Sequence, residues 1–355
     1  MKQNLLDLNY EDLKSFLSKK FGIEEKKLNM RAQQIFTAVY QKGLNTFNQL
    51  TTIPIELRKI LEKNISFNSS KIIETHKSTD GTLKFLVELY DGNKVECVYI
   101  PEKTRGTICV SSQVGCSLTC TFCRSGTQKL VKNLSPSEIV SQVMLVKEKL
   151  KDWGDQKIVS NIVFMGQGEP LINMKNLKTA IQILKDKKGL NYGNKKITVS
   201  TSGIANKIPE AADEIGTYLA LSLHAPNDKL REEIMPINKK FKIKDLIQQL
   251  KYYTSVVKEP IFLEYVMLKG VNDTEDCAKQ LVKLMAQFPS KVNLIEFNSW
   301  PGVKFQPTER KNIEKFSKYI QDKGYMSFIR RSRGDDVLAA CGQLRTESEK
   351  KSKSN

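Results

Sequence analysis

The sequence lacks long hydrophobic runs. Among its 355 residues, no apolar segment reaches the roughly 18 residues that a membrane-spanning helix needs. The first nine residues, Met1 to Asn9, also lack the apolar stretch of about 7–15 residues that a secretory signal peptide carries. We therefore expect a cytoplasmic protein without a membrane partner.

Acidic residues are in short supply relative to basic ones. The chain has 39 Asp and Glu against 57 Lys and Arg, which gives a net charge of +18. An excess of positive charge favours a polyanionic partner, because each neutralised phosphate releases counterions. Lysine is also enriched by AT-rich genomes, and Lys outnumbers Arg here. Charge alone therefore leaves nucleic-acid binding open.

The seven cysteines do not indicate a disulfide framework. In a reducing cytosol, cysteines serve in metal ligation, catalysis or core packing rather than in structural disulfides.

The hydrophobic pattern divides the chain into four parts. Apolar residues at helical spacing predict a small helical module over residues 1–68, and alternating apolar residues predict a β-meander over residues 69–105. Strand-like and helical segments then alternate over residues 106–344. The polar segment 345–355 is expected to be disordered.

Alternating strands and helices predict an α/β fold with a parallel sheet. A complete eight-unit barrel takes about 250 residues, so six units need about 190. The length of the alternating region favours a partial (β/α)6 TIM-like barrel, with a doubly wound sheet as the alternative. In both folds, ligands bind at the C-terminal ends of the strands.

Three cysteines follow the first strand of this region in a CxxxCxxC pattern: Cys116, Cys120 and Cys123. A cubane cluster with three protein ligands keeps one iron free for a chelating substrate. The alternative is a zinc site with Cys109 as the fourth ligand, but tetrahedral zinc sites usually pair their cysteines as CxxC. The triplet therefore predicts an iron–sulfur cluster.

Small polar residues recur where the other strands end. Taken singly these patterns are weak, because many strand-to-helix turns carry glycine and a lone histidine is often a structural hydrogen-bonding group. Together they predict a ligand-lined mouth of the barrel. The residues are Gly168, Glu169, Ser200, Ser222, Leu223, His224 and Asn298.

The cysteine triplet at the end of the first barrel strand resembles the hallmark of the radical S-adenosylmethionine (SAM) superfamily. The resemblance implies a [4Fe–4S] cluster on Cys116, Cys120 and Cys123, with SAM bound to the open iron and along the polar strand ends. It also implies reductive cleavage of SAM to methionine and a 5′-deoxyadenosyl radical. A reductant such as a flavodoxin-type electron donor is then required.

The C-terminal run Arg330-Arg-Ser-Arg-Gly-Asp-Asp-Val-Leu-Ala-Ala-Cys341-Gly-Gln-Leu344 closely resembles the signature of the RlmN/Cfr family of RNA adenosine methyltransferases. The match is near-continuous from Glu96 to Leu344, and residues 1–68 fit the accessory RNA-binding domain of that family. The segment Arg124 to Lys129 departs from the pattern of many relatives.

The family resemblance implies a role for two further cysteines. Cys341 would take a methyl group from one SAM, and a second SAM would provide the radical that activates this methyl group for addition to adenine. Cys109 would then resolve the RNA adduct by forming a transient disulfide with Cys341. Glu96 matches the proton acceptor of the family, the alternative being a solvated strand glutamate, and Cys97 and Cys277 are expected to be packing residues.

The resemblance also implies the substrates. The Gly-Asp-Asp sequence before Cys341 resembles the RlmN-type enzymes, which methylate C2 of adenosine, more than the Cfr-type enzymes, which methylate C8. The family's targets lie in the peptidyl-transferase region of 23S rRNA and beside the anticodon of tRNA, and the base must be unstacked to react.

Arg330, Arg331 and Arg333 either hold phosphates or are solvated, and we expect a monomer.

Two functions of other classes remain open at this point. One is a radical SAM activase that acts on a protein partner, which would not need Cys109 or Cys341. The other is a non-catalytic RNA-binding protein stabilised by zinc.

Overall fold

The computed structural model describes residues 2–67, 70–154 and 157–346. In these ranges the α-helices are α1 (Tyr10–Phe21), α2 (Glu25–Tyr40), α3 (Ile55–Asn64), α4 (Pro136–Lys149), α5 (Met174–Lys185), α6 (Ile208–Glu214), α7 (Asp228–Ile234), α8 (Ile243–Val257), α9 (Glu275–Met285) and α10 (Arg310–Asp322). Short 3₁₀ helices cover Leu5–Asp7, Phe47–Gln49, Ser125–Thr127, Pro170–Asn173, Asn194–Lys196, Ala205–Lys207, Pro236–Lys239 and Asp335–Val337.

The β-strands of the same ranges are β1 (Gln3–Asn4), β2 (Ile65–Ser66), β3 (Lys71–Lys77), β4 (Leu83–Glu88), β5 (Lys94–Pro101), β6 (Gly106–Cys109), β7 (Gln113–Val114), β8 (Lys132–Asn133), β9 (Asn161–Phe164), β10 (Ile197–Thr201), β11 (Tyr218–Ser222), β12 (Ile261–Met267), β13 (Ser290–Glu296) and β14 (Ser327–Arg330).

A ten-stranded sheet forms the centre of the molecule. Its parallel part runs β6-β9-β10-β11-β12-β13-β14, so each strand lies beside the next one in sequence. Helical crossovers connect successive strands. A doubly wound sheet would reverse its strand order at a switch point, whereas a barrel keeps it sequential. The predicted partial barrel is therefore confirmed, with β14 as an additional parallel strand.

The central strands are buried on both faces, as parallel strands usually are. All residues of β12 except Phe262 are buried. Two of the buried side chains in this part of the sheet are polar: Glu264 on β12 and Asn293 on β13, which are neighbours in register. A buried carboxylate is costly unless it has partners, so this pair is an exception to the apolar pattern.

The meander predicted over residues 69–105 continues the barrel sheet. Strands β3, β4 and β5 pair antiparallel, and β5 pairs antiparallel with β6. One face of β5 packs into the main core, while Val98 on the other face packs with Ala339 and Leu344 of the C-terminal segment. The meander thus forms a surface on which the C-terminal segment rests.

The N-terminal module consists of α1 to α3, closed by the short parallel pair β1 and β2. Asn9 caps α1 by accepting a hydrogen bond from the backbone N–H of Asp12. The module contacts the barrel helices, since the Asp7 carboxylate accepts from the N–H of Ser137 at 2.8 Å. No helix of the described ranges has both the length and the apolar character needed to span a membrane.

The ordered chain extends past Leu344. The backbone N–H of Arg345 donates to Glu96 Oε2 at 2.8 Å, and Thr346 is buried and hydrogen-bonded to the side chain of Gln167. The expectation of disorder from residue 345 is therefore wrong for these two residues, because their partners are far away in sequence. The remaining part of the predicted tail, 347–355, lies outside the described residues.

Candidate active site

The three cysteines of the triplet lie on the loop between β7 and β8. Their thiols are close enough to influence one another. Burial raises the pKa of Cys116 to about 11, with a contribution from Cys123. Burial also raises the pKa of Cys120, and both neighbouring thiols add to this rise. The three thiols therefore lie near one another on this loop.

The donor set fits a [4Fe–4S] cluster. In the described ranges, no three His, Cys, Asp or Glu side chains converge tightly enough to hold a single metal ion. In a cubane, however, each cysteine binds a different iron, so the sulfurs lie farther apart. Backbone N–H groups of Leu118 and Gly168 face the Cys116 thiol, and those of Ser125 and Gly126 face Cys123. Such hydrogen bonds stabilise cluster thiolates.

The turn after β9 places Gly168 and Glu169 beside this loop. Gly168 has a φ of +98°, and a Cβ there would lie 2.5 Å from the Cβ of Gln113, so only glycine fits. The carboxylate of buried Glu169 accepts hydrogen bonds from the N–H groups of Ser202 at 2.7 Å and Leu171 at 3.1 Å. Because a carboxylate has about four acceptor positions, it can still accept hydrogen bonds from a ligand.

His224 is buried after β11 and is neutral. Its Nδ1 accepts a hydrogen bond from the N–H of Val266 at 3.0 Å, which leaves the proton on Nε2. Burial, with a smaller effect of Arg231, lowers the pKa of His224 to about 3. The ring packs edge-on against Phe122 of the cysteine loop, with the ring centroids 4.8 Å apart. His224 therefore connects the end of β11 to the cysteine loop.

The remaining predicted ligand residues also lie at strand ends. Ser200 Oγ donates to the carbonyl of Phe164 at 2.7 Å. The carbonyls of Ser222 and Leu223 accept hydrogen bonds from Arg231. The side chain of Asn298 is buried and makes no hydrogen bond to any part of the chain that the structure describes. It is thus a polar group that a ligand can satisfy.

Arg231 is a site residue that the sequence analysis missed. It is fully buried, and its guanidinium donates to the carbonyls of Ser202, Ser222 and Leu223 and to Asn238 Oδ1. It therefore ties the ends of β10 and β11 together. Its signal in the sequence was weak, because it lies in the charged stretch Asp-Lys-Leu-Arg-Glu-Glu, which is typical of a solvated helix.

We expect Arg231→Met to destabilise the fold by about 3 kcal/mol, because it leaves several buried oxygen acceptors unsatisfied. Chemical denaturation followed by circular dichroism measures the effect. Lys229→Met on the same helix is the matched control, since Lys229 is exposed, and it should change stability by less than about 0.5 kcal/mol. Equal stability of the two variants would contradict the structural role of Arg231.

The structure brings Cys109 and Cys341 together, although they are far apart in sequence. Cys109 at the end of β6 packs with Ala339 and Leu344, which flank Cys341 on both sides. Burial raises the pKa of Cys109, and the Cys341 thiol raises it further. Cys341 itself is open to solvent. The loop that carries Cys341 therefore lies beside Cys109.

The loop that carries Cys341 is attached to the cysteine loop of the triplet. The N–H of Arg124 donates to the carbonyl of Gly342 at 2.7 Å, and Ser125 Oγ donates to the carbonyl of Leu344. These contacts come from the segment that departs from the pattern of many relatives. They hold the residues after Cys123 against the residues after Cys341.

Glu96 is buried on β5, so the alternative of a solvated strand glutamate is wrong. Its Oε1 lies 3.3 Å from Lys84 Nζ, and its Oε2 accepts from the N–H of Arg345. Burial raises the pKa of Glu96 despite the opposing charge of Lys84. Cys97 and Cys277 are also buried within the main core, as packing cysteines would be.

The three arginines before Cys341 differ in their surroundings. Arg330 Nε donates to Asn293 Oδ1 at 3.2 Å, Arg331 is exposed, and Arg333 lies 3.7 Å from the Asp80 carboxylate. Arg330 is therefore hydrogen-bonded to Asn293, one of the two buried polar residues of β12 and β13.

Comparisons with known proteins agree with this geometry. The model of the radical SAM superfamily matches residues 110–281, and the model described as "Ribosomal RNA large subunit methyltransferase N-terminal domain" matches residues 3–66.

Curated relatives match almost the whole chain. The protein named "Dual-specificity RNA methyltransferase RlmN" of Nitrobacter winogradskyi is 43% identical over 362 residues, which cover 98% of this chain and 91% of the relative. The protein of the same name from Parvibaculum lavamentivorans is 45% identical, over 94% of this chain and 86% of its own. The crystal structure of a radical SAM methyltransferase from Sphaerobacter thermophilus superposes with a TM-score of 0.89 at 35% identity, over 97% of this chain and 99% of that one. The chain therefore belongs to the RlmN family of the radical SAM superfamily.

Proposed function

We propose that this chain methylates C2 of adenosine in RNA by way of a methylated Cys341. The substrates are an adenosine in the peptidyl-transferase region of 23S rRNA and the adenosine 3′ of the anticodon in tRNA. The observation that carries the proposal is the placement of Cys341, whose loop is hydrogen-bonded to the cluster loop through Arg124 and Gly342 and packs beside Cys109. The RNA methyltransferase names of the relatives support the same reaction.

The cofactor residues have distinct tasks in this proposal. Cys116, Cys120 and Cys123 would hold a [4Fe–4S] cluster, which when bound supplies the electron for reductive cleavage of SAM. Polar groups at the strand ends would bind and orient SAM. They comprise Gly168, Glu169, Ser200, Ser222, Leu223, His224 and Asn298.

Cys341 and Cys109 provide the sulfur atoms for the covalent steps of the proposed reaction. The sulfur of Cys341 accepts a methyl group from one SAM, and a second SAM is consumed to activate that methyl group. The methylated Cys341 then becomes joined to adenine C2. Cys109 attacks the sulfur of Cys341, and the bond between this sulfur and the methylene carbon on adenine breaks. The carbon takes up a proton, so that a Cys109–Cys341 disulfide forms and the methylated RNA leaves. An external reductant must restore both thiols before the next turnover.

Glu96 is the proposed proton acceptor for the hydrogen on adenine C2. Its burial and raised pKa support this role, because a carboxylate whose pKa lies nearer to neutrality is a better base. Lys84 keeps the ionised form available through its contact at 3.3 Å.

The partners follow from the same proposal. The N-terminal module and the net charge of +18 support binding of RNA. A flavodoxin-type protein would deliver electrons, and the enzyme would act as a cytoplasmic monomer. Two functions compete with this proposal: methylation of adenosine at C8, and radical activation of a protein partner.

Mass spectrometry of nucleosides tests the proposed function. We expect 2-methyladenosine in both 23S rRNA and tRNA from cells that express the chain in a strain lacking its own enzyme. The strain without the chain is the control. Appearance of 8-methyladenosine, or of no methylated adenosine in either RNA, would contradict the proposal.

A further inference from the structure

Cys341 lies in a tight turn of the backbone. The N–H of Gln343 donates to the carbonyl of Ala340 at 3.0 Å, and Gly342 has a φ of +81°. A positive φ at the third residue is typical of a type II turn, in which glycine is favoured at that position. Cys341 is therefore the second residue of the turn, and it is exposed to solvent.

The side chain of Gln343 holds this turn from within the protein. It is fully buried, and its Oε1 accepts a hydrogen bond from the N–H of Ala340 at 3.1 Å. Oε1 and Nε2 cannot exchange places, because both partners of Nε2 are oxygen acceptors. The backbone and the side chain of Gln343 together bind the carbonyl and the N–H of the residue before Cys341.

The amide nitrogen of Gln343 joins the turn to the end of β13. Nε2 donates to the carbonyl of Ser299 at 3.0 Å and to Asp335 Oδ1 at 2.7 Å, so both of its N–H groups are used. Ser299 directly follows Asn298, one of the residues proposed to bind SAM. Gln343 therefore connects the turn of Cys341 to the neighbour of a proposed SAM-binding residue.

The segment around Ser299 is itself held in place. The next residue, Trp300, donates from Nε1 to the carbonyl of Phe122 in the cysteine loop at 3.0 Å. Loops are usually more mobile than the elements they connect, so a sulfur on an exposed turn needs such contacts to stay in one position. Through Gln343, the turn of Cys341 is attached to a segment that is hydrogen-bonded to the cysteine loop.

We propose that Gln343 is a positioning residue that aligns the sulfur of Cys341 with the methyl group of SAM. The inference rests on the proposed function, since it assumes that Cys341 is the methyl acceptor. In that step a bond forms between this sulfur and the methyl carbon, the bond between the sulfonium and the methyl group breaks, and the thiol proton passes to solvent. Such a displacement needs the reacting atoms in line and about 3–3.5 Å apart. Gln343 does not touch these atoms but fixes the turn that carries one of them.

The test compares two reactions of the same thiol. Holoenzyme with unmethylated Cys341, verified by peptide mass spectrometry, receives methyl-labelled SAM in one experiment and iodoacetamide in the other. Iodoacetamide reaches an exposed thiol from solvent and needs no alignment, whereas methylation by SAM does. Both reactions use the thiolate. The ratio of the methylation rate to the alkylation rate at Cys341 therefore cancels any change in the thiolate fraction.

Gln343→Met keeps the length of the side chain and removes its hydrogen bonds. We expect this variant to lower the ratio by about 10²-fold, because displacing a reacting atom by about 1 Å costs about that factor. The limiting rate of methylation should fall, while the apparent KM for SAM and the iron content should stay at their wild-type values. Gln287→Met is the control: it removes an exposed amide near the end of α9 and should leave both rates unchanged.

A second pair of variants decides the question if Gln343→Met fails to fold or to retain iron. Gln343→Glu keeps an acceptor for the N–H of Ala340 but places a carboxylate beside Asp335, so the ratio should fall. Adding Asp335→Asn removes the repulsion and supplies an amide donor, so the double variant should regain part of the ratio. An unchanged ratio in Gln343→Glu, or no recovery in the double variant, would overturn the inference.

The remaining outcomes separate the two proposals. An unchanged ratio in Gln343→Met would overturn the role of Gln343 while the proposed function stands. An equal fall of both rates would make Gln343 a structural residue only, and a raised KM with an unaltered limiting rate would make it a SAM-binding residue only. Each of these results would also overturn the inference. If wild-type Cys341 is alkylated but takes no label from SAM, both the inference and the proposed function fail.

Discussion

Cys341→Ala is expected to lower RNA methylation by at least about 10³-fold, because it removes the atom that carries the methyl group. The substitution leaves Cys116, Cys120 and Cys123 in place, so iron content and cleavage of SAM should persist. Mass spectrometry of nucleosides from RNA treated with the purified enzyme measures the loss. Purified wild-type enzyme should in turn show an S-methyl group on the tryptic peptide that contains Cys341.

Cys277→Ala is the matched control for this substitution. Cys277 is buried on α9 and packs in the main core, so its truncation removes a cysteine without touching the site. This variant should retain methylation. If Cys341→Ala retained it as well, the covalent mechanism would be wrong, and activation of a protein partner would again become a candidate function.

Cys109→Ala is expected to trap RNA on the protein. With Cys341 joined to adenine and no second thiol beside it, the adduct cannot be resolved through a disulfide. The expected result is a covalent RNA–protein species after a single turnover, with methylated RNA reduced by at least about 10²-fold. A denaturing gel detects the species, and mass spectrometry of the nuclease-treated peptide places the link on Cys341.

Two controls test the assignment of Cys109. Cys97→Ala should give no adduct, because Cys97 lies in the main core, opposite Phe85 in the β4–β5 pairing. The double variant Cys109→Ala/Cys341→Ala should also give none, since it lacks the sulfur that holds the RNA. An adduct in the double variant, or free methylated RNA at the normal rate from Cys109→Ala, would refute the resolving role.

The sequence was sufficient to predict the fold, whereas the binding roles of the strand-end residues stay predictions. Polar residues at or just after the ends of apolar strands, such as Ser222 and Asn298, predict a ligand site because the ends of parallel strands meet at one edge of a sheet. The sequence left two strand orders open, the sequential order of a partial barrel and the reversed order of a doubly wound sheet. The pairing of β5 with β6, which joins the meander to the barrel, requires contacts that no local pattern contains.

Arg231 and Glu264 could not be assigned by the same reasoning, for opposite reasons. Arg231 lies among charged residues, and only the packing of α7 shows that it points inward. Glu264 interrupts the apolar strand Ile-Phe-Leu-Glu-Tyr-Val-Met. A charge within a buried strand conflicts with its surroundings, and such conflicts are expected at functional sites. That signal was available in the sequence but does not identify the partners Asn293 and Arg330.

The attachment of the Cys341 loop has a consequence for biosynthesis. The chain emerges from the ribosome with its N-terminus first, and N-terminal parts generally fold first. The first barrel strands and the loop of Cys123 therefore emerge long before Cys341. The contact between Ser125 and Leu344 spans 219 residues and can form only when translation is nearly finished. A prematurely terminated chain therefore lacks both these contacts to the cluster loop and the sulfur proposed to receive the methyl group.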